Sequence, residues 1–409
     1  MTKKLLIVGA GPDQIPAIEI AKGRGLEVYT TDGNPEAPGF ALADGHATVS
    51  THDAAATIAY AHRIRPDGVM TLASETGVPT VAKTAEALGL PGIGAQCAYL
   101  ATNKNAMRQA FLKHGVPTTA SARIVSYQEL ERFLAQHPLP VVLKPSDCSG
   151  QRGTTKLEHM ADAATALKEA LHFSTDAAAI VETFAEGPEI NVTAVIHRGE
   201  ITLLSLSDRV TAAPPHFGIA IEHAAPPAIT AAQRSALEQA AIASIRAIGL
   251  VDGIAYPQII LSPAGPRVLE IAARIPGGFM REVARALSGI DLIEIAILQA
   301  LGAPFALSDL GRTKFPAVNV KFLTELDTAP AGTRIEAIDG LDTARAAPGV
   351  ESVHFGLRAG ASIPALNSSA ARFGAVIATG SSRTDAQSLA SAAARHIHLT
   401  FSPATAAKP

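Results

Sequence analysis

The sequence predicts an α/β region followed by an α+β module and a β-rich carboxyl-terminal region, and three observations carry that prediction. In the first hundred residues, short apolar strands alternate with amphipathic helices, a pattern typical of a parallel sheet covered on both faces. From about Asn103 onward, longer strands follow one another through short turns such as HRGE at 197–200, which indicates antiparallel pairing. From about Leu310, short β segments recur and one late helix follows.

The amino-terminal elements are apolar runs that end at glycines or polar turns. We predict strands at KLLIVGAG (4–11), LEVYTTDGNP (26–35) and DGVMTLAS (67–74), and helices at QIPAIEIAKGRG (14–25) and VPTVAKTAEALGL (78–90). The glycines at the ends of both helices are typical helix terminators.

The α+β module contains both helical and strand periodicity. We predict helices at 103–115, 126–137 and 161–172, and strands at 140–145, 177–184, 189–199, 200–209, 253–261 and 267–274. The proline-rich segment SDRVTAAPPHFGIAIEHAAPP (207–227) is expected to connect a strand to a helix.

The composition and charge of the chain limit the partners and the cellular location that we expect for it. The chain has 409 residues, of which 47% are hydrophobic and 17% charged, with a formal net charge of −3. This balance gives no support for a nucleic-acid or anionic-membrane partner. Cys97 and Cys148 are too few for a disulfide framework. No stretch has the length of a membrane span, and the amino terminus is not typical of a signal peptide, so we expect a cytoplasmic protein.

The glycine turn GAGPDQ after the first strand is an ambiguous signal. It begins like a dinucleotide-binding fingerprint, and Asp32 ends the second strand where a ribose-binding acid is expected. However, Gln14 occupies the third glycine position and Pro12 removes an amide donor. NAD binding by an oxidoreductase therefore remains an alternative, and a tight turn beside a ligand cleft is the favoured interpretation.

The stretch PVVLKPSDCSGQRGTTKL is more informative. Lys144 ends an apolar strand and faces a loop of small residues that leads into another strand. Such a loop can direct several backbone amides at phosphate oxygens, because glycine lets the backbone approach closely. The alternative is a solvated hairpin with an incidental lysine.

The stretch AAAIVETFAEGPEINV places two glutamates on either side of a short turn. Glu182, Thr183 and Phe184 end one strand and would offer backbone groups to an adenine ring at an open strand edge. Glu189 opens the next strand and would accept hydrogen bonds from ribose hydroxyls. The alternative is a pair of solvated surface glutamates.

Two oxygen-bearing side chains are expected to lie side by side on the last strands of the module. Gln258 and Glu270 belong to strands joined by the turn SPAGP, and an antiparallel pair would place them on one face. Such a pair suits Mg²⁺, which takes its other ligands from water and nucleotide phosphates. Arg274 would then bind phosphate or a substrate carboxylate, whereas the alternative is a structural Glu270–Arg274 pair.

The order of these motifs resembles that of the ATP-grasp superfamily. The resemblance rests on Lys104 in TNKNAMRQAFLKHGVPT, Lys144 in VVLKP, the small-residue loop, the stretch from Glu182 to Glu189, and EIAARIPGG. It implies an ATP-grasp fold with an amino-terminal Rossmann-like pre-ATP-grasp domain (1–102). An ATP-grasp domain (103–309) would follow, with a lid lobe at about 116–184 and a catalytic lobe at about 185–309. A carboxyl-terminal α+β domain (310–409), including SAARFGAVIATG, would end in a flexible tail.

The resemblance also assigns roles to individual residues. Lys104 and Lys144 match the nucleotide-phosphate lysines, and Glu189 matches the ribose acid. Arg274 matches the catalytic or substrate arginine. Lys144, at the reacting phosphate, is the second residue expected to take part in catalysis. The remaining assignments are the phosphate-covering loop (Ser149, Gly150, Gln151 and Gly153), the adenine hinge (Glu182, Thr183 and Phe184) and the metal ligands (Gln258 and Glu270).

Two positions depart from the ATP-grasp pattern. The first metal position, usually glutamate, is Gln258, as in carbamoyl-phosphate synthetases. The usual ExNxR reads Glu270, Ala272, Arg274, so an asparagine ligand is missing. We expect ATP with Mg²⁺ or Mn²⁺ as the nucleotide and metal, and the second metal is in doubt.

Within the superfamily the chain looks most like L-amino acid ligases and similar carboxylate–amine ligases. The resemblance implies activation of a carboxylate as an acyl phosphate, release of ADP and phosphate, and coupling to an amine, most simply an amino acid. It also implies a homodimer. The alternatives are a purine-pathway-like enzyme that uses bicarbonate or formate, and a nucleotide-binding regulator without catalysis. Arg209, His216 and His223 in the proline-rich segment, with Gly277 and Gly278 after Arg274, are the expected substrate contacts.

Overall fold

The computed structural model describes residues 2–148, 150–214, 216–310 and 314–401, except for the side chains of 309 and 310. The predicted flexible tail, SPATAAKP (402–409), therefore lies outside the described residues. Of the described helices, none is both long enough and apolar enough to cross a bilayer.

The amino-terminal region is the predicted parallel sheet with helices. Its strands are β1 (Lys4–Val8), β2 (Glu27–Asp32), β3 (Gly45–Thr48) and β4 (Gly68–Met70), and its helices are α1 (Ile15–Gly23), α2 (Ala54–Ile64) and α3 (Gly77–Leu88). The strand order is β3-β2-β1-β4, with every neighbouring pair parallel. Two helices, α4 (Ala95–Thr102) and α5 (Lys104–Lys113), lead out of this region.

A small antiparallel sheet follows, which we call the lid. It contains β5 (Ser121–Ile124), β6 (Val141–Pro145), β7 (Thr155–Leu157) and β8 (Ala179–Thr183), with helices α6 (Tyr127–Leu134) and α7 (Ala163–His172). The order is β5-β8-β6-β7, and both helices pack on the sheet through a separate apolar cluster. Strand β8 is therefore an interior strand, with β5 on one side and β6 on the other.

The remaining strands and helices build the largest part of the molecule. The strands are β9 (Glu189–His197), β10 (Glu200–Thr211), β11 (Ala220–Ala225), β12 (Gly253–Ser262), β13 (Gly265–Ala272), β14 (Ala317–Leu323), β15 (Ile335–Asp339), β16 (Val350–Phe355), β17 (Gly374–Gly380) and β18 (His398–Phe401). The helices are α8 (Ala231–Ala247), α9 (Met280–Ser288), α10 (Leu292–Ala300), α11 (Leu307–Leu310), α12 (Leu341–Arg345) and α13 (Arg383–Ala394).

Eight of these strands form one antiparallel sheet, which we call the large sheet. Its order is β13-β12-β9-β10-β11-β14-β17-β16, and β15 pairs with β18 separately. The sheet therefore continues from the ATP-grasp-like module into the carboxyl-terminal region, because β11 pairs with β14. The expected crossover at 207–227 is wrong, since it contains β11 as a strand of this sheet.

Helices cover the large sheet on both faces. Along β9, Val192, Ala194 and Ile196 belong to the apolar cluster that includes residues of α8. Val195, between them, belongs to the cluster that includes residues of α1 and α10. Successive strand residues point to opposite faces, so an apolar run such as INVTAVI is buried on both sides. Polar residues at the strand ends are consequently the ones available to the cavities described below.

Candidate functional site

Three adjoining cavities lie at one end of the large sheet. The lid cavity, of about 530 Å³, lies between the lid and the large sheet, and Lys144, Glu182 and Glu189 line it. The central cavity, of about 520 Å³, is bounded by all three regions of the chain, with Glu75, Arg274 and Arg372 on its wall. The two share Lys104, Gly150, Gln151, Arg209, Gln258 and Glu270. A third cavity, of about 480 Å³, adjoins the central one.

A further cavity of about 510 Å³ lies between the amino-terminal sheet and the large sheet. It is lined by residues such as His197, Ile254 and Phe305 and by Arg274. Apart from Arg274, no residue predicted as part of the site lines it. The three adjoining cavities are therefore the ones that the predicted site residues line.

Lys104 and Lys144 reach the lid cavity from different elements. Lys104 is the first residue of α5, whose start is capped by the Asn103 side chain accepting from Ala106 N at 3.0 Å. Its Nζ donates to the carbonyl of Cys148 at 2.5 Å. Lys144 lies on β6 and its Nζ is 2.5 Å from Oε2 of Glu182. The two ammonium groups thus reach the same cavity from the helix and from the lid.

Glu182 is the centre of a buried ion network that the sequence analysis did not predict. Its side chain is 2% exposed, and Nε of Arg108 donates to Oε1 at 2.6 Å. Burial raises the pKa of Glu182, but the charges of Arg108 and Lys144 outweigh it and lower the pKa to about 2. The Arg108 guanidinium also donates to the carbonyl of Leu269 on β13. It therefore connects α5, the lid and the large sheet.

The predicted adenine hinge lies in the lid cavity, but not at an open strand edge. Thr183 N donates to Ala120 O at 2.9 Å and Phe184 N to Pro140 O at 3.3 Å. The expectation of an open edge is wrong, because β8 pairs with strands on both sides and its amides are already used. Ala185, the next residue, lines the cavity, and its N–H donates to no described residue. It is the first amide available to a ligand.

Only part of the predicted phosphate-covering loop faces the cavities. Gly150 and Gln151 line both the lid and the central cavity, whereas Ser149 lies outside the described residues. A Cβ on Gly218 would be 2.8 Å from Oε1 of Gln151, so the loop reaches the opposite wall. Gly153, predicted as part of the same loop, lines neither of these two cavities. A Cβ on it would be 2.8 Å from Phe173, so it packs against the lid's own side chains.

Glu189 and Arg209 face each other across the β9–β10 pair. They are register partners, and Nη1 of Arg209 is 2.9 Å from Oε2 of Glu189. Nη2 of Arg209 donates to Gly218 O at 2.7 Å. Burial lowers the pKa of Arg209 but the Glu189 charge outweighs it, so the net effect raises the pKa and Arg209 stays charged. Glu189 retains its other carboxylate oxygen for a ligand hydroxyl.

The predicted register of the metal-ligand pair is confirmed. Gln258 of β12 pairs with Glu270 of β13, and both line the lid and central cavities. The carboxylate of Glu270 forms no hydrogen bond or ion pair with any residue that the structure describes. The described residues contain no cluster of three or more His, Cys, Asp or Glu side chains that would hold a metal alone. One free carboxylate beside an amide oxygen fits a Mg²⁺ that takes most ligands from phosphate and water.

The partner of Arg274 is a residue of the amino-terminal region. Its Nη2 lies 2.5 Å from Oε2 of Glu75, and its Nε donates to the same oxygen at 2.8 Å. The structural Glu270–Arg274 pair considered as an alternative is thus not formed. This arrangement leaves Glu270 free and holds the Arg274 guanidinium at the wall of the central cavity. Its charge is neutralised by Glu75 rather than by a ligand.

The remaining predicted substrate residues are divided between two places. His223, Gly277 and Gly278 line the central cavity. His223 is 3% exposed, and burial, aided by the Arg209 and Arg372 charges, lowers its pKa well below the usual value. It is therefore neutral. The expectation for His216 is wrong, because its Nδ1 lies 2.8 Å from Leu366 O and it lines none of the described cavities.

The glycine turn after β1 is filled by protein. Ala10 N donates to Oδ2 of Asp32 at 2.9 Å, and the Gln14 side chain donates to Leu72 O at 2.5 Å. A Cβ on Gly9 would be 3.1 Å from Cδ of Gln14, so this side chain occupies the space beside the glycines. Asp32 therefore holds the turn, and Asp13 in the same turn reaches the central and third cavities.

The sequence analysis missed three residues of the site: Glu75 and Arg372, which line the central cavity, and Arg108, which binds Glu182 behind the lid cavity. Arg108 lies one helical turn after Lys104, and the (i, i+4) spacing of two cations on α5 was the available signal. Arg372 lies in the carboxyl-terminal stretch SAARFGAVIATG, where no sequence pattern indicates a cavity. Glu75 follows β4 in LASETG, where the carboxyl edge of a parallel sheet was the available signal.

Comparison with known proteins agrees with this architecture. The family model of the carbamoyl-phosphate synthase L chain ATP binding domain matches residues 103–308, just over half of the chain. The family model of L-amino acid ligase C-terminal domain 2 matches residues 328–402.

Two curated relatives illustrate the range of sequence similarity. The chain is 28% identical over 338 residues to the uncharacterized protein y4rH of Sinorhizobium fredii, covering 82% of this chain and 68% of that protein. It is 28% identical over 371 residues to carnosine synthase 1 of Gallus gallus, covering 83% of this chain. The chain spans 40% of the length of that synthase.

Solved structures share the fold over nearly the whole chain. The L-amino acid ligase of Bacillus licheniformis superimposes with a TM-score of 0.82 at 21% identity, covering 98% of this chain and 99% of that one. The phosphoribosylglycinamide synthetase of Anaerococcus prevotii gives 0.79 at 20% identity, covering 98% and 100%. With the domain match and the arrangement of the cavities, the chain belongs to the ATP-grasp ligase family, with the ATP-binding domain found in the carbamoyl-phosphate synthase L chain.

Proposed function

We propose that the protein is an ATP-dependent ligase that activates a carboxylate as an acyl phosphate and couples it to an amine. One observation carries the proposal. Two lysines from different elements and the free Glu270 carboxylate line connected cavities, with Arg274 on the wall of the second. Phosphoryl transfer to a carboxylate requires cations and a metal-ligating oxygen pair to neutralise the phosphates. It also requires space beside the nucleotide for the carboxylate, which the second cavity provides.

The lid cavity is the proposed nucleotide site. The adenine ring would take a hydrogen bond from the Ala185 amide beyond β8, and the ribose would bind the second oxygen of Glu189. Lys104 and Lys144 would neutralise phosphate oxygens, with backbone amides of Gly150 and Gln151 above them. The network of Arg108, Lys144 and Glu182 has two cations and one anion, so one positive charge remains for the phosphates.

Gln258 and Glu270 are the proposed metal ligands. They would hold a Mg²⁺ ion, which would supply positive charge to neutralise the phosphate oxygens. The protein contributes one charged ligand, so metal affinity should depend strongly on the bound nucleotide. The absence of an asparagine at Ala272, which is buried at the central cavity, is consistent with this dependence.

The chemistry then takes place where the lid and central cavities meet. A carboxylate oxygen of the first substrate attacks the γ-phosphorus, and the bond to the β-phosphate oxygen breaks, which releases ADP. The amine nitrogen next attacks the acyl carbon, the carbon–oxygen bond to phosphate breaks, and the nitrogen loses a proton to solvent. Arg274, held by Glu75, would stabilise the oxyanion, a contribution of about 3 kcal/mol for a preorganised donor.

An amino acid is the proposed class of substrate. The carboxyl-terminal match to L-amino acid ligases supports this, and the names of carnosine synthase 1 and alanine–anticapsin ligase, another relative, point the same way. The likeness to phosphoribosylglycinamide synthetase is one of fold. We also propose the domain boundaries at 102/103 and 309/310, which the two matched ranges support, and a homodimer.

Release of ADP tests the proposal. The wild-type protein should release ADP and phosphate over repeated turnovers only when both an acid and an amine are present, with one ADP per amide formed. Lys144→Ala and Glu270→Ala should each lower this rate by about a thousandfold, because each removes charge stabilisation at the transferred phosphoryl group. Circular dichroism should show the fold intact.

Matched controls are available on the same lobes. Lys168→Ala on α7 of the lid and Glu238→Ala on α8 remove exposed or half-buried charges outside the cavities, and should keep the wild-type rate. Substrate-dependent turnover that persists in Lys144→Ala or Glu270→Ala would defeat the assignment of the site.

A further inference from the structure

One arginine at the central cavity lacks the carboxylate partner that the others have. Arg274 pairs with Glu75, and Arg209 pairs with Glu189. Arg372, between the turn at 369–371 and β17, forms no ion pair with any carboxylate in the described part of the chain. The charge of Asp13 acts on it without contact, so Arg372 has no directly paired anion.

The contacts of Arg372 hold the guanidinium in place without neutralising it. Nε donates to the carbonyl of Ser369 at 2.9 Å, and the guanidinium carbon lies 4.1 Å from the centre of the Phe322 ring. The ring contact fixes the plane of the guanidinium and leaves the two Nη groups for a further partner. Gly278 is next to them, since a Cβ there would be 3.8 Å from both Nη atoms.

Because Arg372 is largely buried, leaving its charge without a paired anion is unfavourable in free energy. Desolvation, together with the nearby Arg209 charge, lowers the pKa of Arg372 to about 10, so the group still carries its charge at neutral pH. A charge in such surroundings is stabilised by a paired anion, and the fork of a guanidinium binds a carboxylate through two hydrogen bonds. The site is thus built for an anion that the chain itself does not supply.

The position of Arg372 separates this anion from the nucleotide. Arg372 lines the central and third cavities but not the lid cavity, where the nucleotide is proposed to bind. A carboxylate bound here lies on the side of the central cavity away from the lid. It is therefore a different group from the carboxylate that attacks the γ-phosphorus beside Glu270.

We infer that Arg372 binds the α-carboxylate of an amino acid that enters as the amine substrate, an inference that rests on the proposed ligase function. Asp13 lines the same two cavities, and its carboxylate has no hydrogen-bond partner among the described residues. An unpaired cation and an unpaired anion facing the same cavities match a zwitterion, which carries one carboxylate and one ammonium group.

The charges disfavour a phosphate at this position. The adjacent His223 is neutral and Arg209 is paired, so Arg372 offers a single uncompensated charge. A dianionic phosphate would also be repelled by Asp13. The third cavity, with the rings of Phe279 and His354 on its wall, gives the side chain of the amino acid a place to extend.

The experiment compares free amino acids with their α-amides as amine substrates of the full-length protein. With saturating ATP, Mg²⁺ and acid, the wild-type KM should be about 30-fold lower for the free amino acid than for its amide. Arg372→Gln should raise the KM of the free amino acid by about 30-fold and that of the amide by about twofold or less, with a smaller change in kcat. Arg372→Lys should restore part of the preference, because it keeps the charge without the fork.

Arg345→Gln on α12 is the control, since it removes an exposed guanidinium of the same region and should keep the preference. If no acid and amine pair releases ADP, the ligase proposal fails by itself. Binding of the same amino acids and amides, measured by ligand-observed NMR on wild type and Arg372→Gln, then decides the inference. It is overturned if the variant keeps the acid preference, or if the wild type discriminates for a phosphate-bearing amine such as phosphoribosylamine rather than for the carboxylate.

Discussion

The lid cavity and the central cavity balance their charges in different ways. At the lid cavity, Lys144 and Arg108 share one carboxylate, Glu182, so this network carries one positive charge in excess. At the central cavity, Arg274 is paired with Glu75, whereas no carboxylate contacts Arg372 and the carboxylate of Asp13 lies at the same cavity without a hydrogen-bond partner among the described residues. In our proposals the lid side binds the highly charged nucleotide beside a network, and the central side binds a single carboxylate through one residue, Arg372. The experiments below change one side at a time.

Removing Arg108 should have the largest effect, because it breaks the network of the lid side. Arg108→Met leaves Lys144 as the charged partner of Glu182 and removes the contact to Leu269 on β13. Truncating one partner of a buried ion pair costs about 4 kcal/mol, so the free energy of unfolding measured in urea should fall by that amount.

Arg132→Met on α6 is the matched control for that measurement. Arg132 is 75% exposed, and its loss should change stability by less than about 0.5 kcal/mol. Equal stability of the two variants would show that the buried network does not stabilise the fold.

Acid should weaken the same network in a defined pH range. The pKa of Glu182 is about 2 in the folded state, against 4.5 ordinarily, because the Arg108 and Lys144 charges outweigh the effect of burial. A lowered folded-state pKa means that its stabilisation is complete above pH 4.5 and is lost as the pH falls toward 2. The loss should be on the order of 3 kcal/mol.

Urea unfolding of wild type and Glu182→Gln at several pH values between about 6 and 3 measures this contribution. The variant should be less stable than wild type at neutral pH, and its stability should depend less on pH over that interval. Parallel pH curves for the two proteins would contradict the assignment of the ionised carboxylate to Glu182.

A substitution of Glu75 alters the central side, with a smaller expected effect than the loss of Arg108. Glu75→Gln keeps the shape of the partner but removes the charge that holds Arg274. Turnover should fall by about 10-fold to 100-fold, because the guanidinium is no longer fixed where we propose that the oxyanion forms. The affinity for ATP, measured by calorimetry, should stay within about twofold, since Glu75 does not line the lid cavity.

Asp67→Gln is a control in the same region, because Asp67 accepts from Lys4 N outside the cavities. A loss of ATP affinity in Glu75→Gln as large as its loss of turnover would show that the two cavities do not work separately.

The two sides also differ in how well the sequence predicted them. The pairing of the strands that carry Gln258 and Glu270 was predictable because a short turn joins them. Their direct opposition depends in addition on a register shift between Gln258 and Ile259, without which Pro257 would lie opposite Glu270. The parallel amino-terminal sheet was predictable for a similar reason, since the strand–helix alternation is local.

Features that depend on distant pairing were not predictable in this way. Strand β8 lies between β5 and β6, and nothing within its own sequence shows that both of its edges are covered. Glu75 and Arg274 are 199 residues apart, and the partner of Arg274 follows from the packing of two regions rather than from a motif. Arg372 likewise acquires its surroundings from Phe322 and Gly278, which belong to other elements.

A structure of the full-length protein with Mg²⁺ and a non-hydrolysable ATP analogue would test the central claim most directly. We predict that the triphosphate lies between the side chains of Lys104 and Lys144, with the metal on Glu270 and Gln258 and the adenine beside Ala185. A nucleotide bound elsewhere, or a lid cavity that stays empty at saturating nucleotide, would contradict the account.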